Sequence, residues 1–208
     1  MLMELLTPFN GINNERTNYG LFALLMFSAA LLLIAPFFMP VDYSWVSQTT
    51  SESAAQGVPN AWIARLGFIT FGFSVISLAI HKRSAWAISA VWLHIIFGVL
   101  MTATAAFSHH HWDPSMPLDP IEDALHSITA TVMGFAFSFG ILALLLQKLW
   151  QKETDYIFDI VAISVATFIP LGMLFWPNYA GIAQRFMFLV AYAWYGREAL
   201  NDHTCDDR

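Results

Sequence analysis

The sequence predicts an all-α integral membrane protein: a compact bundle of six transmembrane helices with both termini cytoplasmic. Three observations carry that reading. Of 208 residues 57% are hydrophobic and only 12% charged, where soluble domains carry about 25% charged residues. Apolar runs broken by Pro, Asn, Gly and charge fall at 20–39, 60–81, 84–107, 120–149, 156–176 and 179–199. Each approaches the roughly 20 residues that cross about 30 Å of hydrocarbon at 1.5 Å per residue. Seven of the nine basic residues, Arg16, Lys82, Arg83, Lys148, Lys152, Arg197 and Arg208, fall in the two tails and the second and fourth connections. The loops 40–59, 108–119 and 177–178 hold none, so by the positive-inside rule those loops face outward.

Residues 1–19 read as a cytoplasmic N-terminal tail, because "MLMELLTPFNGINNERTNYG" lacks the cationic start, apolar core and small-residue cleavage site of a secretory leader. The membrane domain then occupies 20–200. The first outer loop, "PVDYSWVSQTTSESAAQGVP", leads to Asn60, the expected N-cap of span 2. "GFITFGF" in span 2 and "MGFAFSFG" in span 4 place small residues where helices can approach closely. His94, midway along span 3, reads as a hydrogen-bonding group between helices rather than a ligand. In span 5, Asp159 is expected to pair with Lys148 or Lys152, and Pro170 to kink the helix. Span 6 is expected to open on Asn178 as N-cap and to carry Gly181, Gln184, Arg185, Phe188 and Tyr192 on one face. Trp45, Trp62, Trp112 and Trp176 flank the outer side as an interfacial belt. A short C-terminal tail, 201–208, carries the single Cys205, which excludes an intramolecular disulfide.

The two remaining basic residues lie inside spans. Arg65 and Arg185 sit five and seven residues beyond Asn60 and Asn178, and His126 sits seven beyond Asp119, which puts all three about 7–11 Å below the outer boundary. In "DPIEDALHSI" the groups Asp119, Glu122, Asp123 and His126 are spaced i, i+3, i+4, i+7 and share one helical face. Asp119 and Glu122, either side of Pro120, read as a capping box. Asp123 and His126 lie deeper. An isolated charge in hydrocarbon costs about 2.5–3.5 kcal/mol at the centre, so opposite charges at one depth are expected to pair. The reading is an outward-facing polar pocket lined by Arg65, Asp123, His126, Gln184 and Arg185.

Other chemistry is weakly signalled. "SHHHWD" offers His109, His110, His111 and Asp113, but no spacing matches a zinc signature, and no metal site is assigned. Ser44, Ser47, Ser51 and Ser53 lack the setting of a serine nucleophile. No P-loop, dinucleotide-binding glycine pattern, haem-attachment motif or basic nucleic-acid patch is present, so no cofactor is named and nucleic acid is excluded as a partner. The favoured function is binding of an anionic lipid headgroup or amphiphile, with Arg65 and Arg185 as clamps, Gln184 orienting and His126 as a proton-responsive group. One alternative is a membrane-embedded hydrolase or transferase with Asp123 and His126 as candidate catalytic residues, with or without metal. Another is a structural subunit that docks a protein partner. The expected location is a cytoplasmic (inner) membrane, where lipid is the nearest partner.

The stretches "SWVSQTTSESAAQGVPNAWIARLGFITFGF", "DPSMPLDPIEDALHSITATVMGF" and "GIAQRFMFLVAYAWYG" together resemble the prokaryotic six-span family known as domain of unknown function 998. The likeness places its motif positions at Ser47 or Ser51, Pro59, Asn60, Asp113, His126, Gln184 and Arg185. It implies the topology and carries no assigned reaction. More distantly, the serine-rich outer loop and six spans are similar to the eukaryotic Frag1/DRAM/Sfk1 group.

Overall fold

A computed structural model describes the backbone of residues 7–201 and the side chains of residues 15–201; Cys205 and Arg208 lie outside the described residues. Six long helices follow the six apolar runs: α1 Thr7–Ile34, α2 Trp62–His81, α3 Ile88–Ala106, α4 Pro120–Trp150, α5 Ile157–Phe175 and α6 Ala180–Leu200. α1 starts earlier than the first apolar run, so 7–19 of the expected tail is helical. Short 3₁₀ turns occupy Ala35–Phe38, Glu52–Ala54 and Pro177–Tyr179. The stretches Glu15–Phe38, Trp62–His81, Ile88–Ala106, Pro120–Trp150 and Ile157–Phe175 are long and apolar enough to cross a membrane. α6 has the length, 21 residues, but Gln184, Arg185, Arg197 and Glu198 dilute its apolar character.

Each helix packs on the next in sequence and α6 returns to α1, so the bundle closes on itself. The long loops 39–61 and 107–119 share one end, while Lys82, Lys148 and Arg197 mark the opposite, basic end. The centre is filled by rings. Phe71 of α2 stacks on Tyr192 of α6 at 4.2 Å and meets Phe97 and Tyr195 edge-on at 5.6 and 5.8 Å. Trp194 and Tyr195 are fully buried. Lipid is as apolar as these side chains, so close packing and interhelical hydrogen bonds hold such a core together. His94 bonds through Nδ1 to the Tyr195 hydroxyl at 2.8 Å, the interhelical role expected of it, and lies between the Trp86 and Trp194 rings at 5.0 and 5.2 Å.

Small residues set the α2–α3 crossing. A Cβ on Gly72 would stand 2.4 Å from the Gly98 carbonyl oxygen, and one on Gly98 2.6 Å from that of Gly72. Gly140 of "MGFAFSFG" faces His94 in the same way, at 2.8 Å, whereas Gly134 meets nothing within 4 Å. Only some of the glycines in these stretches are therefore contact positions.

Asp119 caps α4 as expected, accepting from the amides of Ile121 at 2.9 Å and Glu122 at 3.2 Å. Two other expected caps are corrected. Asn60 takes a left-handed φ of 60° and sends its side-chain amide to the Phe38 carbonyl; Asn178 lies within the 3₁₀ turn, and neither α2 nor α6 has a side-chain cap. Main-chain carbonyls take their place, Asn60 O for the Ile63 amide and Val46 O for the Ile182 amide. Glu122 closes no capping box either, because its carboxylate accepts from the Ser108 amide at 2.8 Å.

At the basic end Lys148 pairs with Asp159 at 2.8 Å, the partner expected from the sequence. The Trp194 indole donates to the other Asp159 oxygen at 2.8 Å. Glu198 lies 3.7 Å from Lys148 and 3.8 Å from Arg197, which also reaches Asp155 at 3.1 Å. Apart from Asp159 and Ala162 no residue of α5 is buried, so this peripheral helix, which runs on through Pro170, is held to α4 and α6 by the ion network together with the partly buried Phe158, Ile163, Val165 and Ala166.

Two outcomes follow for thermal unfolding in detergent. Gly98→Ala should cost about 1–3 kcal/mol through overpacking, while Gly134→Ala should be neutral or slightly stabilising. Asp159→Ala, which removes the hydrogen-bonded partner of Lys148 and leaves it only the longer contact to Glu198, should cost up to about 3–5 kcal/mol.

Candidate functional site

At the long-loop end, α6 acts as a post for the first loop. Arg185 donates through Nη1 to the carbonyls of Trp45 at 2.9 Å and Gln48 at 2.8 Å, and through Nη2 to the Tyr43 hydroxyl at 2.6 Å. Its guanidinium carbon lies 4.9 Å from the centre of the Trp45 ring, a cation–π distance. Burial pushes the Tyr43 phenol above its usual range, so it keeps its proton and donates to the Thr49 carbonyl at 2.9 Å. Gln184, one residue earlier, accepts from the amides of Thr50 at 2.7 Å and Ser51 at 3.3 Å. Gly181 lets the loop lie flat on the helix, since a Cβ there would meet the Gln48 and Trp45 carbonyls at 2.4 and 2.6 Å.

Arg65 of α2 joins the two loops. It reaches the Ala54 carbonyl through Nε at 3.4 Å and Nη2 at 3.3 Å, and Nη2 also donates to the Ser108 hydroxyl. The loops are stitched further by Gln56, which exchanges hydrogen bonds with the Asp119 main chain and donates to the Ser108 carbonyl, and by the Trp112 indole on Asp42 at 2.8 Å. On α4, buried His126 bonds through Nδ1 to the Phe107 carbonyl at 2.8 Å. Asp123 accepts from the His110 amide at 2.8 Å and the His110 ring at 3.0 Å. The His109 ring stands edge-on to His126 at 5.3 Å. Among the described residues, one ligand atom each from His109, His110 and Asp123 lies within 4.8 Å of the others.

Beside the Arg185 post a groove of about 430 Å³ runs between α1 and α6. Leu32 and Tyr192 are buried at its base, and Leu33, Ile182 and Leu189 are exposed along its rim, so it opens on the flank of the bundle. Its polar lining is Thr50, Tyr192 and Arg185. Arg185 uses three of its five N–H groups on the loop; the Nε–H and one on Nη2 have no acceptor among the described residues.

The five residues read as one pocket thus fall into two neighbourhoods. Arg185 borders the groove, with Gln184 beside it beneath the first loop; Arg65, Asp123 and His126 hold the junction of the two loops. The expected pairing of opposite charges at this depth does not occur. Ion pairs among the described residues are His110–Asp123 and those of the basic end, and neither Arg65 nor Arg185 takes part. Loop carbonyls lie nearer and accept from a guanidinium without burying a second charge. The motif residues Ser47 and Asp113 also serve the loops: Ser47 donates to Gln48, and the Ser115 amide on Asp113 holds that carboxyl below its usual range. Arg185, Phe188 and Tyr192 in the α6 wall of the groove fall on the helical face expected from the sequence, whereas its α1 wall is ordinary apolar helix and left no trace.

Gln184→Ala removes the acceptor for two amides, which should cost about 1–3 kcal/mol. Hydrogen exchange should show it as faster exchange confined to residues 43–53, with α2 and α3 unchanged.

No curated protein and no solved structure is detectably similar to this chain, so the distant eukaryotic likeness gains no support from them. Residues 19–198 match the family described as "Protein of unknown function (DUF998)", nearly the whole helical bundle, and the chain belongs to that family.

Proposed function

We propose that the protein binds an anionic, chain-bearing amphiphile of the membrane, such as a phospholipid, in the groove between α1 and α6. The single observation that carries this is the joining of an apolar trough of about 430 Å³ to a guanidinium with two uncommitted N–H groups at its loop end. That volume falls within the roughly 300–1,000 Å³ of small-molecule sites. Leu32, Leu33, Ile182, Phe186 and Leu189 offer hydrocarbon contact, and Arg185 offers charge-assisted hydrogen bonds to a phosphate or carboxylate oxygen. Trp45 lies against the cation at 4.9 Å, and both side chains line the groove.

The segregation of Lys and Arg supports an orientation with the basic end cytoplasmic and the long loops outside; the membrane proposed is a prokaryotic cytoplasmic one. In that setting Arg185 lies in the second turn of α6, about 8 Å in from its start at 1.5 Å per residue, the level of headgroups and the upper acyl chain. The amphiphile enters sideways from the outer leaflet.

Native mass spectrometry of protein extracted in mild detergent tests this. Wild type should retain about one anionic phospholipid in preference to a zwitterionic one. Arg185→Ala should weaken retention about 10–100-fold, the equivalent of a charged hydrogen bond of roughly 1.5–3 kcal/mol, and Leu189→Trp, which fills the groove, should do the same. Gln184→Ala loosens the loop but keeps the charge and should retain lipid. Equal retention by wild type, Arg185→Ala and Leu189→Trp would overturn the proposal.

A further inference from the structure

We propose that His109, His110 and Asp123 form a site for a divalent transition metal of the zinc class at the long-loop end. The three come from the second loop and α4, and a ligand atom of each lies within 4.8 Å of the other two. Nitrogen and oxygen ligands at about 2.0–2.2 Å around a tetrahedral ion stand roughly 3.3–3.6 Å apart. The ligand atoms therefore need to draw in by at most about 1.5 Å.

The hydrogen bonds around the cluster leave lone pairs on His109 and Asp123, while the His110 Nδ1–H that donates to Asp123 Oδ1 at 3.0 Å is the proton a metal ion would replace, the ring passing to its Nε2–H tautomer. His109 Nδ1 is 2.9 Å from the His110 carbonyl oxygen. Facing a carbonyl, Nδ1 must carry the proton, so Nε2 keeps its lone pair. A metal-bound imidazole is oriented in this way, with its second nitrogen donating to a backbone carbonyl. His126 Nδ1 donates to the Phe107 carbonyl, which leaves its Nε2 lone pair too, on a ring edge-on to His109 at 5.3 Å. The main-chain amide of His110 pins the Asp123 carboxylate through Oδ1, and Oδ2 has no protein donor among the described residues. No Lys or Arg in the loop 108–119 competes for that carboxylate, and Arg65 is bound to Ala54 and Ser108.

The same geometry rejects the third histidine of the run. His111 Nδ1 accepts the Asp113 amide at 2.9 Å, and its ring is stacked on Trp112 at 4.0 Å. Two imidazoles and one carboxylate leave a fourth position for water or substrate, the open pattern of reactive rather than purely structural zinc. Imidazole with carboxylate selects zinc, cobalt or nickel over calcium and magnesium.

The test is cobalt(II) titration of full-length protein carrying no polyhistidine tag, in detergent, read by visible absorption and by elemental analysis after desalting. Wild type should take up one ion per chain with the absorption of a four-coordinate site. His110→Ala, at an exposed position where folding is not at stake, and Asp123→Asn should weaken uptake at least 10-fold, while His111→Ala should bind as wild type. Three results would each overturn the assignment: no stoichiometric uptake, wild-type binding by His110→Ala, or an equal loss in His111→Ala, which would mark the histidine run as an indifferent chelator. Leu189→Trp, which fills the α1–α6 groove without touching either loop, should bind cobalt normally, so this site and the groove stand or fall separately.

Discussion

The clasp of Arg185 on the main chain of the first loop is the interaction on which the long-loop end depends. A loop that folds back over an apolar bundle brings carbonyl and amide groups close to hydrocarbon, where each unsatisfied group costs several kcal/mol. Arg185 takes two carbonyls and a phenol, Gln184 takes two amides, and the Ile182 amide meets a third carbonyl. With the loop so fixed, Trp45 and Thr50 become the upper rim of the α1–α6 groove. One side chain thereby serves the fold and frames the proposed ligand site.

The two ends of the bundle solve the problem of buried polarity differently. At the long-loop end helix side chains bond to backbone, which is neutral, so isolated cations are accommodated without partner anions. At the basic end Lys148 hydrogen-bonds Asp159, and Arg197 and Glu198 stand within ion-pair range of that pair at 3.7–3.9 Å. Such a network is sensitive to loss of one member, because the survivor is left charged and dry. Mixed bonding of this kind at opposite ends leaves the middle of the bundle free for aromatic packing around Phe71, Tyr192 and Trp194.

Much of this was legible in the residues. Six helices, the Asp119 cap, the Lys148–Asp159 pair and the interhelical role of His94 follow from apolar periodicity, capping chemistry and the cost of burying charge. Arg65, His126 and Arg185 enter the bundle from the same end, as spacing alone indicated. What spacing could not supply was the partner of each group. Guanidinium acceptors turned out to be carbonyls of Trp45, Gln48 and Ala54, and a carbonyl is present at every residue and so marks none in the sequence. Asn60 and Asn178 failed as caps for the same reason, main-chain oxygen having reached the helix amides first. His109 and His110 meet Asp123 across a turn whose shape is set by Gln56 and Glu122, contacts that no short motif records.

The modest apolarity of α6 bears on how the protein is made. Its two arginines, Gln184 and Glu198 find partners on α4, α5 and the first loop, all of which precede it in the chain. A nascent polypeptide therefore already holds these donors and acceptors before the last segment leaves the ribosome. The polar groups of that segment can be satisfied as it packs, so its entry into the bilayer and its tertiary assembly coincide.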